Sequence, residues 1–175
     1  MEESKLVNGL NIKEFEEAVN QVAEQQGAQK APKKSRVRWK GGFKFSALVR
    51  NHTFLVDEPA HLTGEDEAPN SMEYVLGALG ACLATGFVLN ASKQDVEIYD
   101  MEVVLDASQD NVFTFLGLGG DGHSGFDGIT AKLFVKSNQD EETLRKLWDD
   151  TVKTSPVGNS MVHVVPIQTE LDVVG

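Results

Sequence analysis

Cys82 is the single cysteine of a 175-residue chain, and it lies in "YVLGALGACLATGF", residues 74–87, a stretch without a charge. A thiol is the one side chain here able to act alone as a strong nucleophile. It does so as the thiolate, which a nearby cation favours, and a resolving thiol is what keeps its oxidised forms from going too far. The competing reading is a small hydrophobic side chain filling a core. Other chemistry-bearing types are less organised. His52, His61, His123 and His163 are scattered at spacings that form no metal-ligand motif, and no metal is expected. "GLGGDGHSG" has neither the Lys-Ser/Thr pair nor the following helix of a phosphate loop, and reads as a flexible turn. Asp149-Asp150 and Glu141-Glu142 read as solvated helix faces, with no separate carboxylate dyad. No cofactor is expected.

The elements that must position Cys82 follow from periodicity. "NSMEY" places Asn70 three residues before Glu73, a capping-box spacing, at the head of a helix. Beyond the cap this helix is apolar on every face, so more than one side needs covering, and Gly77, Gly80 and Gly86 invite close packing. Its uncharged run, Tyr74 to Ala91, is at or below the roughly 20 residues of a membrane span and reads as a buried helix. Upstream, Asn11 with Glu14 caps an amphipathic helix carrying Ile12, Phe15, Val19 and Val22, with Gly27 as its C-terminal stop and "AQKAPKKS" as a linker.

Val37 and Trp39 alternate with Arg38 and Lys40, Gly41-Gly42 turns the chain, and Phe43 to Val49 alternates again, a β-hairpin. Asn51-His52 makes a second turn and Thr53 to Val56 a third strand, ended by Pro59. Later strands are expected over 96–105, 112–118 and 129–135, then an amphipathic helix with Leu144, Leu147, Trp148 and Val152 that stops at Ser155-Pro156, then a last strand over 162–173. Segregated strands and helices argue an α+β fold, with helices against one antiparallel sheet.

Composition excludes several classes. At 41% hydrophobic and 25% charged residues the chain is neither disordered nor fibrous. A net charge of −11 argues against nucleic acid, and the basic run at 30–40 reads as a solvated linker entering a strand. "MEESKLVNG" lacks a secretory pattern, so the cytoplasm is the expected location and no membrane partner is expected. A lone cysteine fits a reducing compartment.

The stretch "DEPAHLTGEDEAPNSMEYVLGALGACLATGF", the hairpin before it and the helix ending at "SPV" resemble the OsmC/Ohr family, osmotically induced and organic hydroperoxide resistance proteins. The resemblance runs from about residue 35 to the C-terminus, giving an N-terminal helix and linker at 1–34 and an OsmC-like domain at 35–175. It implies an intertwined homodimer with central helices wrapped by sheets and active sites at the subunit interface.

In peroxidase members of the family one helix cysteine attacks the hydroperoxide, a second resolves it as a disulfide, and an Arg and a Glu assist. Cys82 matches the first cysteine. The second falls on Ser155, which cannot form a disulfide, so turnover needs an external thiol. The Glu position falls on Met72; Glu73 is one residue later, about 180° around the helix from Cys82 against about 80° for Met72. Glu73 thus stands both as a candidate partner of Cys82 and as a cap. Lys44 in "GGFKF" stands where the Arg belongs, with Arg36, Arg38 and Arg50 as alternatives. Met72 and Leu79 are candidate substrate-pocket residues.

Two functions remain open: one-cysteine, thiol-dependent reduction of organic hydroperoxides through Cys82, of the oxidative-stress type, or a non-enzymatic dimer that binds a small apolar or acyl ligand with Cys82 as a lining residue. A purely structural dimer is a third.

Overall fold

The computed structural model describes residues 5–24 and 31–174. The chain forms two compact units, Met1–Ala78 and Leu79–Gly175. The element order is α1 (Ile12–Ala23), β1 (Arg36–Gly41), β2 (Lys44–Val49), β3 (His52–Val56), a 3-10 turn (Ala60–Leu62), α2 (Ser71–Lys93), β4 (Ile98–Gln109), α3 (Val112–Phe115), β5 (Phe126–Ser137), α4 (Glu141–Thr154) and α5 (Pro156–Val162).

In the first unit, Asn11 caps α1 by accepting the Glu14 N–H at 3.2 Å. Gly27, expected to stop this helix, lies outside the described residues, and α1 gives way at Glu24. Strands β1, β2 and β3 form an antiparallel meander, with Trp39 opposite Phe45 and Ala47 opposite Phe54. The second turn falls on Arg50 and Asn51 rather than Asn51-His52, because Val49 already pairs with His52. The start of α2 also belongs to this unit. Asn70 Oδ1 accepts the Glu73 N–H at 3.0 Å and Glu73 Oε2 accepts the Asn70 N–H at 2.8 Å, a closed capping box.

The second unit holds the rest of α2, which runs through the boundary. By length and composition α2 could cross a bilayer. In this unit Leu79, Leu83, Phe87 and Ala91, each four residues from the last, form a buried stripe along one face. Phe87 and Ala91 join Val96 and Leu147 in a core bordered by Ile98, Met101, Leu133, Val135, Leu144 and Trp148.

Helix α4 packs antiparallel to α2. A Cβ on Gly86 would lie 3.0 Å from Thr151 Cγ2, so any larger residue there needs the threonine methyl to give by a few tenths of an ångström. The buried Thr151 hydroxyl accepts from Asn90 Nδ2 at 3.0 Å and donates to the Leu147 carbonyl at 2.8 Å. Strands β4 and β5 pair antiparallel, with Met101 opposite Val135 and Leu105 opposite Ala131 on the half-buried side.

Further expectations are corrected. The strands lie in two separate sheets, of three and two strands, rather than one. Residues 112–118 are no strand: Asn111 Oδ1 accepts the Phe113 N–H at 3.0 Å and starts the short helix α3. The glycine-rich segment after it is held by hydrogen bonds, with the His123 N–H donated to Asp110 Oδ2 and Asn111 Nδ2 to the Asp121 carbonyl, both at 2.8 Å. No strand forms over 162–173, where α5 takes the first residue and the chain beyond is irregular and exposed, Val164 at 98%.

Gly86→Val, which forces a branched side chain against Thr151, is expected to destabilise the protein by about 1–3 kcal/mol. Urea unfolding monitored at Trp148 checks this, and an unchanged midpoint would mean that the helices do not depend on the glycine.

Candidate functional site

Cys82 sits one turn before Gly86 on α2, and Ser155 one turn after Thr151, at the end of α4. Because the two helices run antiparallel, the close approach at Gly86 and Thr151 carries both residues to the same place. The Ser155 hydroxyl donates to Cys82 Sγ at 3.3 Å. Cys82 is half-buried, whereas Ser155 is only 3% exposed.

Ser155 ends one helix and begins another. Its extended backbone, φ −60° and ψ 117°, breaks α4, and its Oγ accepts the Gly158 N–H at 3.1 Å as the cap of α5, with Pro156 in the first turn. The Ser155 carbonyl accepts both the Asn159 N–H at 2.8 Å and Asn159 Nδ2 at 2.9 Å, and Asn159 Nδ2 also reaches the Lys153 carbonyl at 3.0 Å. Leu79 is buried on α2 beside this junction: its Cδ1 lies 3.8 Å from where a Cβ on Gly158 would stand.

The other sequence-predicted residues belong to the first unit. Lys44 Nζ is held by Glu65 Oε2 at 2.5 Å and Glu67 Oε2 at 2.8 Å. Hydrogen bonds to these carboxylates raise the Lys44 pKa, so it stays charged throughout the physiological range. The Glu73 carboxylate is engaged in the capping box. Met72 is half-buried at the start of α2. A groove of about 390 Å³ lies over the apolar face of the β1–β3 sheet, walled by Val37, Phe45, Ala47, Phe54, Val56 and Tyr74 with Ser35 and Ser71 also lining it; Met72 does not line it. The Phe54 and Tyr74 rings are 4.9 Å apart, and Tyr74 donates its hydroxyl to the Leu55 carbonyl at 2.6 Å. Arg36 and Arg38 stand on the exposed strand β1, and Arg50 in the turn after β2. Among the described residues, no three His, Cys, Asp or Glu side chains gather as a metal site would require.

Sequence reasoning missed Asp57. This carboxylate is 1% exposed and accepts three backbone N–H groups, from Glu58 at 2.8 Å and from Glu65 and Glu67 at 3.2 Å each. It is the hub of the loop that presents Glu65 and Glu67 to Lys44. Gly64 closes the same loop, since a Cβ there would fall 1.7 Å from the Glu58 carbonyl oxygen. Burial alone would push the Asp57 carboxyl up, but the three N–H groups and the Lys44 charge outweigh it and hold it below the ordinary value of 3.8. The only sequence signal was an acid set before "EP", with a glycine among acids downstream.

The model of the family described as OsmC-like protein matches residues 64–170. No curated protein matches the chain. Solved structures resemble it in fold. An OsmC-like protein from Mycoplasma pneumoniae superimposes with a TM-score of 0.65 at 17% identity, over 76% of this chain and 89% of that one. An organic hydroperoxide resistance protein OsmC from Legionella pneumophila gives 0.58 at 14% identity, over 77% and 92%. An organic hydroperoxide resistance protein from Elizabethkingia anophelis, with thiocyanate bound, gives 0.56 at 17% identity, over 77% and 90%.

Because the folded-state value of Asp57 is depressed, its contribution to stability is full above the unfolded value, near pH 4, and is lost as pH falls through the lower folded value. Asp57→Asn is therefore expected to lower the melting temperature at pH 7, with the gap to wild type narrowing below about pH 4. Thermal melts from pH 2.5 to 7 check this; parallel curves would remove Asp57 from the role of loop hub.

Proposed function

Since the chain belongs to the OsmC-like protein family, we propose that it acts in peroxide defence as a one-cysteine reductase of organic hydroperoxides, with Cys82 as the nucleophile. What carries the reading is the sulfur's placement on the family's helix, partly open to solvent and bonded to a hydroxyl at Ser155. The Cys82 thiolate attacks the outer oxygen of the hydroperoxide. The O–O bond breaks, the alkoxide takes up a proton and leaves as the alcohol, and the cysteine becomes a sulfenic acid. A low-molecular-weight thiol then attacks that sulfur, releasing water and leaving a mixed disulfide; a second such thiol restores Cys82 and departs as the disulfide. No step uses a second protein thiol, and none is present. The reading needs no cofactor.

The working unit we propose is a homodimer. The sequence makes α2 apolar on every face, whereas the chain by itself buries one stripe of it and leaves Gly77, Ala78, Ala81 and Thr85 exposed. A second copy is the simplest cover. The groove under Phe54 and Tyr74 favours a second reading, a dimer that holds an apolar or acyl ligand without turnover.

Purified protein with cumene hydroperoxide and dithiothreitol is expected to consume peroxide, and Cys82→Ser to fold and consume none; equal consumption by both excludes the thiol route. Light scattering at micromolar concentration is expected to give twice the chain mass of 19.1 kDa, and a monomer would overturn the dimer. Ser155→Cys, exposed to one equivalent of peroxide, is expected to lose two hydrogens as a disulfide to Cys82, while wild type gains oxygen; a variant that gains oxygen and keeps its second thiol free would show that the side chains cannot reach bonding geometry.

A further inference from the structure

We propose that Ser155 is a positioning residue for Cys82, its hydroxyl proton fixed on the sulfur by the cap of α5, so that this chain uses a donor hydrogen bond where a resolving thiol would otherwise stand. The inference rests on the proposed role of Cys82 as nucleophile.

A serine hydroxyl has one proton and two acceptor lone pairs. As the cap of α5, Oγ must receive the Gly158 N–H at 3.1 Å, which occupies a lone pair and leaves the proton for another acceptor. The acceptor in reach is Cys82 Sγ, at 3.3 Å. A cap alone needs only the oxygen; the donor is the surplus, and at 3% exposure water does not replace the sulfur as its partner. The backbone that carries it is held as well: its carbonyl is bonded twice by Asn159, and Pro156 follows it.

A hydroxyl that donates to sulfur favours the thiolate over the thiol, because the anion is the stronger acceptor. It also leaves the sulfur's other lone pairs turned away from Ser155. No charged side chain hydrogen-bonds either atom among the described residues, and the nearby α4 charges Asp150 and Lys153 face each other at 3.9 Å. The hydroxyl is thus the polar group that acts on the sulfur within this unit.

The test reads the sulfur directly, without peroxide. Iodoacetamide alkylation of Cys82 is followed by mass across pH 6–10 in wild type, Ser155→Ala, Ser155→Gly, Ser155→Thr and Asp140→Ala. Glycine keeps most of the capping stability, threonine keeps the hydroxyl, and Asp140→Ala removes the cap at the other end of α4, where the side chain accepts the Thr143 N–H at 2.8 Å. The alanine and glycine variants are expected to alkylate about tenfold more slowly at pH 7, with the rate profile displaced to higher pH. Threonine is expected to recover most of that rate, and Asp140→Ala to match wild type. Wild-type or faster alkylation in both Ser155→Ala and Ser155→Gly overturns the proposal, as does an equal slowing in Asp140→Ala, which would reduce the effect to lost helix stability. If alkylation responds as expected while wild type consumes no hydroperoxide, the role of Ser155 stands and the peroxidase reading falls.

Discussion

The second unit depends on how closely α2 and α4 approach at Gly86 and Thr151. Helix axes are held apart by their side chains, and a glycine facing a threonine methyl removes most of that spacing. The short distance then has to be made polar-neutral, since Thr151 brings a hydroxyl into a dry contact. It is, because Asn90 donates to the oxygen and the Leu147 carbonyl accepts the proton. Around this pair the apolar groups close: Phe87 meets Trp148 edge-on with centroids 6.3 Å apart, and Leu147 and Val96 complete the core. The meeting of Cys82 and Ser155 is the same packing continued one turn in each direction. The contact between Cys82 and Ser155 is thus a consequence of the core and needs no separate framework.

The first unit solves a different problem with a different device. Its sheet has few fully buried residues, Ala47 among them, so apolar burial does little to fix the loop after β3. A carboxylate does that work. Asp57 gathers three N–H groups from both ends of the loop, and the loop in turn supplies two carboxylates to Lys44. A buried charge is tolerable only when such donors replace its water. The two units therefore differ in kind, one set by apolar packing and one by a polar hub.

Much of this was legible in the sequence because it is local. The capping box at Asn70 and Glu73, the first hairpin and the Leu144, Leu147 and Trp148 stripe of α4 are written within a few residues of each other, and each forms as its spacing predicts. Asn111 was misjudged for a related reason. Its side chain competes for the backbone and starts a helical turn in a segment whose β-branched and aromatic residues suggest a strand. Asp57 was hard to read, since two of its three partners are eight and ten residues away and all three are backbone groups, which carry little sequence signal. The position of Ser155 was legible through the family resemblance, but its bond to the sulfur depends on the helix approach and on which lone pair the cap consumes.

The C-terminal stretch marks the limit of local reading most clearly. Val162 to Val173 has strand-forming composition, but a strand, unlike a helix, cannot satisfy its own backbone. Its existence depends on an edge being available beside it. A helix such as α5 closes its hydrogen bonds internally, and so it claims Val162 as soon as Ser155 and Pro156 have started it. The residues beyond have the composition without a strand partner among the described residues, and Val164, Ile167, Leu171 and Val173 stay open to water. The exposed faces of α2 pose the same question with the opposite sign, because there the backbone is satisfied and only the apolar surface lacks cover. In both places the sequence specifies what the surface prefers, and the described residues leave that preference unmet.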